Sequence, residues 1–319
     1  MSQRVNLLEA FRHNILMLKI IGAWSFADEF WYKIYKYFVT YGVLLNYLSL
    51  LAYLIIHHED SEVVESLYTL PAITHAYIKF LMFRKNFRQI KETLDILQVE
   101  ACQPRNETQK KILNDSISFA HFFLKCYTGL VVFLCGTYIE RALSHGGKSL
   151  PTLGWIPFDY QQPVVYELIF TCQSACFFYW SYMNVSTDCF ICISMLQIGS
   201  QCDLISDTLR NIHEISTEFK NDDFTMRKIL IECVSHYNLT LRYANLLADA
   251  YKEIVTVQFA DPASLQFFQL FFYQSAVTCE IFFYCFFGNR IIEKIQKPIV
   301  FYAWNIFPIN ADTFKGKRY

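Results

Sequence analysis

Residues 37–56 read YFVTYGVLLNYLSLLAYLII, without a single charge. That is the length a helix needs to cross the roughly 30 Å hydrocarbon core of a bilayer. Inside lipid every backbone amide and carbonyl must be satisfied within the chain, so the fold is limited to helices or a closed barrel. The run has no strict alternation of apolar and polar residues, which points to helix.

Further apolar segments follow. One covers 66–83, with His75 and Lys79 inside it. Another covers 119–139, with His121 and Lys125 near its start. A fourth covers 163–198, with Glu167 and Asp188 embedded, and a sixth covers 265–288, with Glu280 embedded. Between the last two, 254–260 is apolar but too short to cross, and Asp261-Pro262 ends it. The composition agrees: 54% hydrophobic, 18% aromatic and 18% charged residues, with less charge than the ~25% of soluble domains. The expected class is an all-α, polytopic membrane bundle, taken as one membrane domain over 1–319.

Lys and Arg alternate between the connecting segments. Arg4, Arg12, Lys19, Lys33 and Lys36 precede the first span, and none lies in HHEDSEVVE after it. Arg84, Lys85, Arg88, Lys91, Arg105, Lys110 and Lys111 follow the second span, whereas 140–162 holds only Arg141 and Lys148. The positive-inside rule then places the N-terminus in the cytoplasm. Gly288-Asn289-Arg290 becomes the cytosolic exit of the sixth span. The opening segment MSQRVNLLEAFRHNILMLKIIGAW is interrupted by charge and carries no cleavage site, so it reads as an amphipathic helix at the membrane surface and not as a signal peptide.

Residues 226–257 differ from the spans. Leu230, Val234, Tyr237, Leu241, Ala244, Ala248, Tyr251 and Val255 step by four and three, with charges off that seam. The expectation is a long cytoplasmic helix packing on its neighbours.

Chemistry-bearing motifs are scarce. A net charge of -1 leaves no basic domain for nucleic acid. The eleven cysteines mostly sit in apolar runs, so Cys189 and Cys192 read as membrane helix and not as half of a zinc or redox site. HHED at 57–60 lacks the further histidine boxes of a di-iron enzyme. No nucleophile elbow, phosphate-binding loop or acid–base set occurs, so no catalytic residue, metal or cofactor is expected and the chain is not read as an enzyme. Asn106, Asn184 and Asn238 begin glycosylation sequons that the topology places in the cytoplasm or in a span. Aromatic residues do cluster in the outer halves of the spans: Tyr68; Phe133 and Tyr138; Phe170, Phe177 and Tyr179; Phe268, Phe272 and Tyr273. Helices meeting there would enclose a pocket for a small apolar molecule.

LKIIGAW at 18–24, IECVSHYNLTLRYANLLADAYKEIVTVQF, FFYCFFGNRIIEK with FYAWN after it, and FPINADTF together resemble the insect odorant receptor family along nearly the whole chain. The resemblance implies a ligand-gated nonselective cation channel in the plasma membrane of sensory neurons. It implies a heterotetramer with the odorant receptor coreceptor and a pocket for volatile ligands among the second, third, fourth and sixth spans. It also implies a pore-lining seventh span and a cytoplasmic anchor between subunits, here carried by His236, Tyr237, Leu241 and Tyr251. The chain departs from the family pattern in three places. The fifth span stops at Ala260-Asp261, the loop between Trp304 and Phe307 is nearly absent, and KGKRY stands where the seventh span should begin. These read as skipped exons or an incomplete gene model, and the expectation is a chain that carries no odorant-evoked current. A gustatory receptor of the same superfamily stays open as an alternative, as does a membrane transporter or lipid-modifying enzyme.

Overall fold

A computed structural model describes residues 4–24, 30–57, 63–144, 149–212, 222–259, 286–287, 301–303 and 307–309. A 3₁₀ turn (Leu7–Phe11) leads into α1 (Arg12–Ile20), followed by α2 (Phe30–Ile56), α3 (Val63–Lys85), α4 (Phe87–Leu97), α5 (Glu107–Ser144), α6 (Pro163–Arg210) and α7 (Asp222–Phe259). The departure from helix among these residues is a short antiparallel pair, β1 (Phe301–Ala303) with β2 (Phe307–Ile309), in which Phe301 faces Ile309. By length and composition α2, α5 and α6 can cross a membrane. The second expected span lies within α3, whose 23 residues are long enough but are diluted by Glu65, His75, Lys79 and Arg84. The short fifth segment continues α7 as helix to Phe259. Apart from Phe286 and Phe287, which are helical, the sixth span lies outside the described residues, as do the chain's last ten positions.

The chain divides into two compact units, one of Met1–His13, Lys85–Phe123 and Asp188–Tyr319, the other of Asn14–Arg84 and Leu124–Thr187.

In the first unit the later part of α6 is buried on every side: Asp188, Cys189, Phe190, Ile191, Cys192 and Ile193 are all nearly inaccessible. Its apolar side chains face every direction, and buried polar ones such as Gln197 bond to neighbouring helices. α5 starts where Asn106 Oδ1 accepts from the Gln109 amide at 2.7 Å, an N-cap bond. The Gln109 side chain then reaches Asp207 Oδ2 and the Thr208 hydroxyl, each at 2.9 Å. Asn106 also donates to Asp207, so its sequon is committed to packing. α4 buries Ile90, Thr93, Leu94 and Leu97 and keeps Arg88 and Lys91 outside. Its contacts to α7 include Glu92 with Arg242, and Asn86 donating to the Ala250 carbonyl at 2.7 Å. Phe287 packs edge-on against Phe123 at 5.6 Å, bringing the end of the sixth span to α5.

In the second unit LKIIGAW has a local physical cause. Gly22 takes φ +71°, the left-handed conformation that ends helices. The Ala23 amide bonds the Leu18 carbonyl and the Gly22 amide bonds that of Lys19, at 2.9 and 3.1 Å, a Schellman cap. Tyrosine hydroxyls take up nearby carbonyls: Tyr32 donates to Lys19 and Trp24, Tyr35 to Ile20, and Tyr179 to Ile21. The N-terminal segment differs from a helix resting on lipid. Leu18 is fully buried and Asn14 donates to the Ser186 carbonyl, while in the first unit Phe11 is fully buried against Phe190. Only Leu16 and Ile20 keep an apolar outer edge.

Candidate functional site

The second unit holds the described ligand candidates. Tyr138 of α5 and Phe177 of α6 meet, with ring centroids 5.1 Å apart. Cys135 and Ser181, one turn along each helix, hydrogen-bond at 3.2 Å. Phe170 instead pairs with Tyr166 on its own helix, at 5.8 Å. Tyr179 is tied to the end of α1 by its hydroxyl, and Phe133, 67% exposed, points away from the protein. Tyr68 lies on α3, but its side chain is outside the described residues, as are Phe268, Phe272 and Tyr273.

Trp180 at the centre of this unit is missing from the sequence-derived set. It is nearly inaccessible and meets Tyr77 of α3 edge-on at 5.9 Å, while Tyr77 stacks on Tyr47 of α2 at 6.3 Å. Asn46 Oδ1 accepts from the indole N–H at 3.4 Å, and the Tyr47 and Thr74 hydroxyls lie 3.1 Å apart. A buried tryptophan needs such an acceptor. The available signal was Asn46 itself, an amide within an uncharged span, since polar side chains in membrane helices bond to neighbouring helices.

The segment between α5 and α6 closes onto this cluster. Trp155 and Ser49 exchange bonds: the Trp155 amide donates to the Ser49 carbonyl at 2.9 Å, and the Ser49 hydroxyl donates to the Trp155 carbonyl at 2.7 Å. Thr152 donates its amide to Gln173 Oε1, and Tyr166 its hydroxyl to the Ser149 carbonyl. A Cβ at Gly154 would meet Ser49 Oγ at 2.7 Å, so a larger residue would push that hydroxyl off its bond to Trp155. Gln173, Phe177 and Trp180 step by four and three along one face of α6. That face therefore runs about 10 Å from the closing segment to the tryptophan. Thr152 Oγ1 and Ser174 Oγ are buried there without a hydrogen-bond partner. The arrangement therefore sets a row of packed aromatic rings beside two unpartnered hydroxyls.

In the first unit, α7 presents two faces. Ile229, Cys233, His236, Thr240, Tyr243, Ala244, Leu247, Ala250 and Tyr251 form its buried stripe; Ala244 and Tyr251 belong to the seam read from the sequence, whereas over 229–241 the stripe runs one residue ahead of it. Of the anchor candidates, His236 and Tyr251 are buried, and Tyr251 stacks on Phe190 at 6.4 Å. Tyr237 packs beside Ile205, Ile229 and Cys233, and Leu241 is half-buried. Leu230, Ile231 (61% exposed) and Val234 (60%) stand outside. His236 Nε2 lies 2.8 Å from Gln201 Oε1, and burial, helped by the Arg105 charge, lowers its pKa to about 4. The ring is therefore neutral and donates Nε2–H. Among the described residues no group of His, Cys, Asp or Glu could hold a metal ion.

The family model for the 7tm odorant receptor matches residues 60–261. No curated protein matches the chain in sequence. Among solved structures, the insect olfactory receptor OR5 from Machilis hrabei superimposes with a TM-score of 0.75 at 14% identity, over 97% of this chain and 94% of that one. The structure of the same receptor in complex with eugenol gives a TM-score of 0.69, with the same identity and coverage.

Proposed function

The chain belongs to the seven-transmembrane odorant receptor family, a family of membrane receptors and not of enzymes, and on that premise we propose that it is a subunit of an odorant-gated, nonselective cation channel. In this reading residues 1–319 form one odorant-receptor-like membrane domain in the plasma membrane of sensory neurons. The N-terminus and α7 lie on the cytoplasmic side, and the chain assembles as a heterotetramer with the odorant receptor coreceptor. The observation that carries the ligand proposal is the α6 face, where Phe177 meets Tyr138 and Trp180 meets Tyr77 beneath the segment held by Gln173. A volatile molecule would bind against these rings, and the channel would open to the extent that the molecule binds the open state better than the closed one. The apolar outer stripe of α7 supports the assembly reading. Leu230, Ile231 and Val234 would face another subunit beside Tyr237 and Leu241, while His236 and Tyr251 fix the helix from within.

Whole-cell recording with the coreceptor decides between this channel reading and the currentless chain expected from the three departures in the sequence, and ligand-induced quenching of tryptophan fluorescence in the purified chain tests binding. Tyr138→Ala and Phe177→Ala should each weaken binding about tenfold, since an aromatic pair contributes about 0.5–1.5 kcal/mol beyond its buried area. A panel of volatiles whose binding ignores both substitutions would refute the site. Binding without current would refute the channel reading alone.

A further inference from the structure

The end of α1, the start of α2 and the end of α3 bring cations together in the second unit. Lys36 and Arg84 are both half-buried. Tyr47 of α2 stacks on Tyr77 of α3 at 6.3 Å, and in this helical hairpin Lys36 and Arg84 both lie beyond that contact toward the same end, where the charge of Arg84 also bears on Lys36, Tyr32 and Tyr179. The Lys36 stem runs over the bare Cα of Gly22, with Cγ 3.5 Å from where a Cβ would stand. The Arg84 guanidinium sits 5.4 Å from the Phe80 ring centroid. Neither cation has a carboxylate partner among the described residues. By contrast, neighbouring Lys85 is bonded to Glu253 at 2.9 Å. Two like charges held near each other and partly out of water repel, and a bound anion relieves that repulsion. The nearby tyrosine hydroxyls are committed as donors to the Lys19, Ile20, Ile21 and Trp24 carbonyls and cannot supply one.

We propose that Lys36 and Arg84 form a binding site for the phosphate of an anionic phospholipid headgroup. A lipid, in preference to free phosphate, is indicated by the surroundings. Along the same stretch of α2, Phe30, Trp31 (76% exposed), Tyr37, Phe38 and Tyr41 stand outside the protein. Exposed aromatics of this kind mark the headgroup level of a bilayer. A phosphate there would meet a planar fork from Arg84 and a point charge from Lys36. Its acyl chains would lie along the exposed rings. The anionic lipids of the cytoplasmic leaflet are the expected source.

The test is lipid retention by the full-length chain. The protein is reconstituted in nanodiscs of phosphatidylcholine with a minority of phosphatidylinositol phosphate, extracted, and its bound lipids read by native mass spectrometry. The wild type should retain the anionic lipid selectively. Each of Lys36→Gln and Arg84→Gln should reduce that selectivity about fivefold, and the pair about thirtyfold, from about 1 kcal/mol per cation at the surface. Lys85→Gln should leave it unchanged. Lys36→Arg, which keeps the charge, should retain the lipid and separates loss of the site from loss of the fold. Retention by the double variant equal to wild type overturns the proposal, and so does equal loss in Lys85→Gln. Inorganic phosphate added before extraction should displace nothing, and displacement at low millimolar concentration would overturn the headgroup assignment.

Discussion

Replacing Gly22 isolates one backbone angle from every side-chain contact around it. A Cβ added there would lie 3.5 Å from Lys36 Cγ and 3.7 Å from its Cα, both ordinary van der Waals distances. Steric exclusion therefore contributes nothing, and the whole cost falls on φ +71°. For an L residue other than glycine that conformation costs about 1–2 kcal/mol. If the backbone instead relaxes to negative φ, it gives up the bonds from Gly22 and Ala23 to Lys19 and Leu18, worth about 1 kcal/mol each. Both routes bound the loss near 2 kcal/mol. In a chain of this size that corresponds to a fall in melting temperature of about 2–6 °C. Fluorescence-detected size-exclusion after heating in detergent measures it. Gly22→Asn should lose about half as much as Gly22→Ala, because asparagine tolerates the left-handed region, and Gly22→Val should lose the most. Equal melting for all four proteins would refute the cap. A collapse of Gly22→Ala far beyond this range would mean that packing, not φ, selects glycine.

Trp180→Phe removes the indole N–H and leaves Asn46 Oδ1 without its donor, at a cost of about 0.6–1.7 kcal/mol for a hydrogen bond between membrane helices. Adding Asn46→Leu should recover most of that, and strictly additive losses in melting would contradict the bond. His236 is neutral in the folded chain because its pKa is lowered to about 4 from 6.5. The unfolded chain takes up the proton first, so stability is full above pH 6.5 and declines as pH falls toward 4, by up to about 3 kcal/mol. His236→Gln, which can still donate to Gln201, should flatten that part of the melting profile, and an unchanged slope would assign it to other groups. Epitope tags at the N-terminus and within α7 should stain only after permeabilisation, and staining of either tag on live cells would reverse the proposed orientation.

The spans were legible because a bilayer leaves little choice: α2, α5 and α6 each contain an apolar stretch of the length that its thickness demands. The phase of α7 was legible at Ala244 and Tyr251 but not over 229–241. Ile229 and Leu230, Cys233 and Val234, and Thr240 and Leu241 are adjacent pairs about 100° apart on the helix, and either member of each pair could have faced inward. Hydrophobicity favours Val234 and Leu241, yet the chain buries Cys233, His236 and Thr240 because α6 supplies polar partners such as Gln201. The aromatic candidates were ambiguous for the opposite reason. In a membrane protein a phenylalanine is equally at ease against lipid and against another ring, so Phe133 and Phe177 look alike in sequence and part company in the fold. Trp180 was identified only by its neighbour Asn46, which a reading confined to aromatic residues passes over.

The closely buried part of α6 also sets a timetable for synthesis. Gln197 finds its bonding partner, the Ser116 hydroxyl, on a stretch made 81 residues earlier. Gln201 meets His236 only after another 35 residues have been added. At about 5–20 residues per second, the ribosome takes about 2–7 s over that interval. Throughout it, a helix whose finished surroundings are entirely protein has one side built and the other still to come. An amide waiting in lipid is expensive and an apolar flank waiting in water is sticky, so the nascent chain has reason to be held at the membrane boundary until α7 arrives.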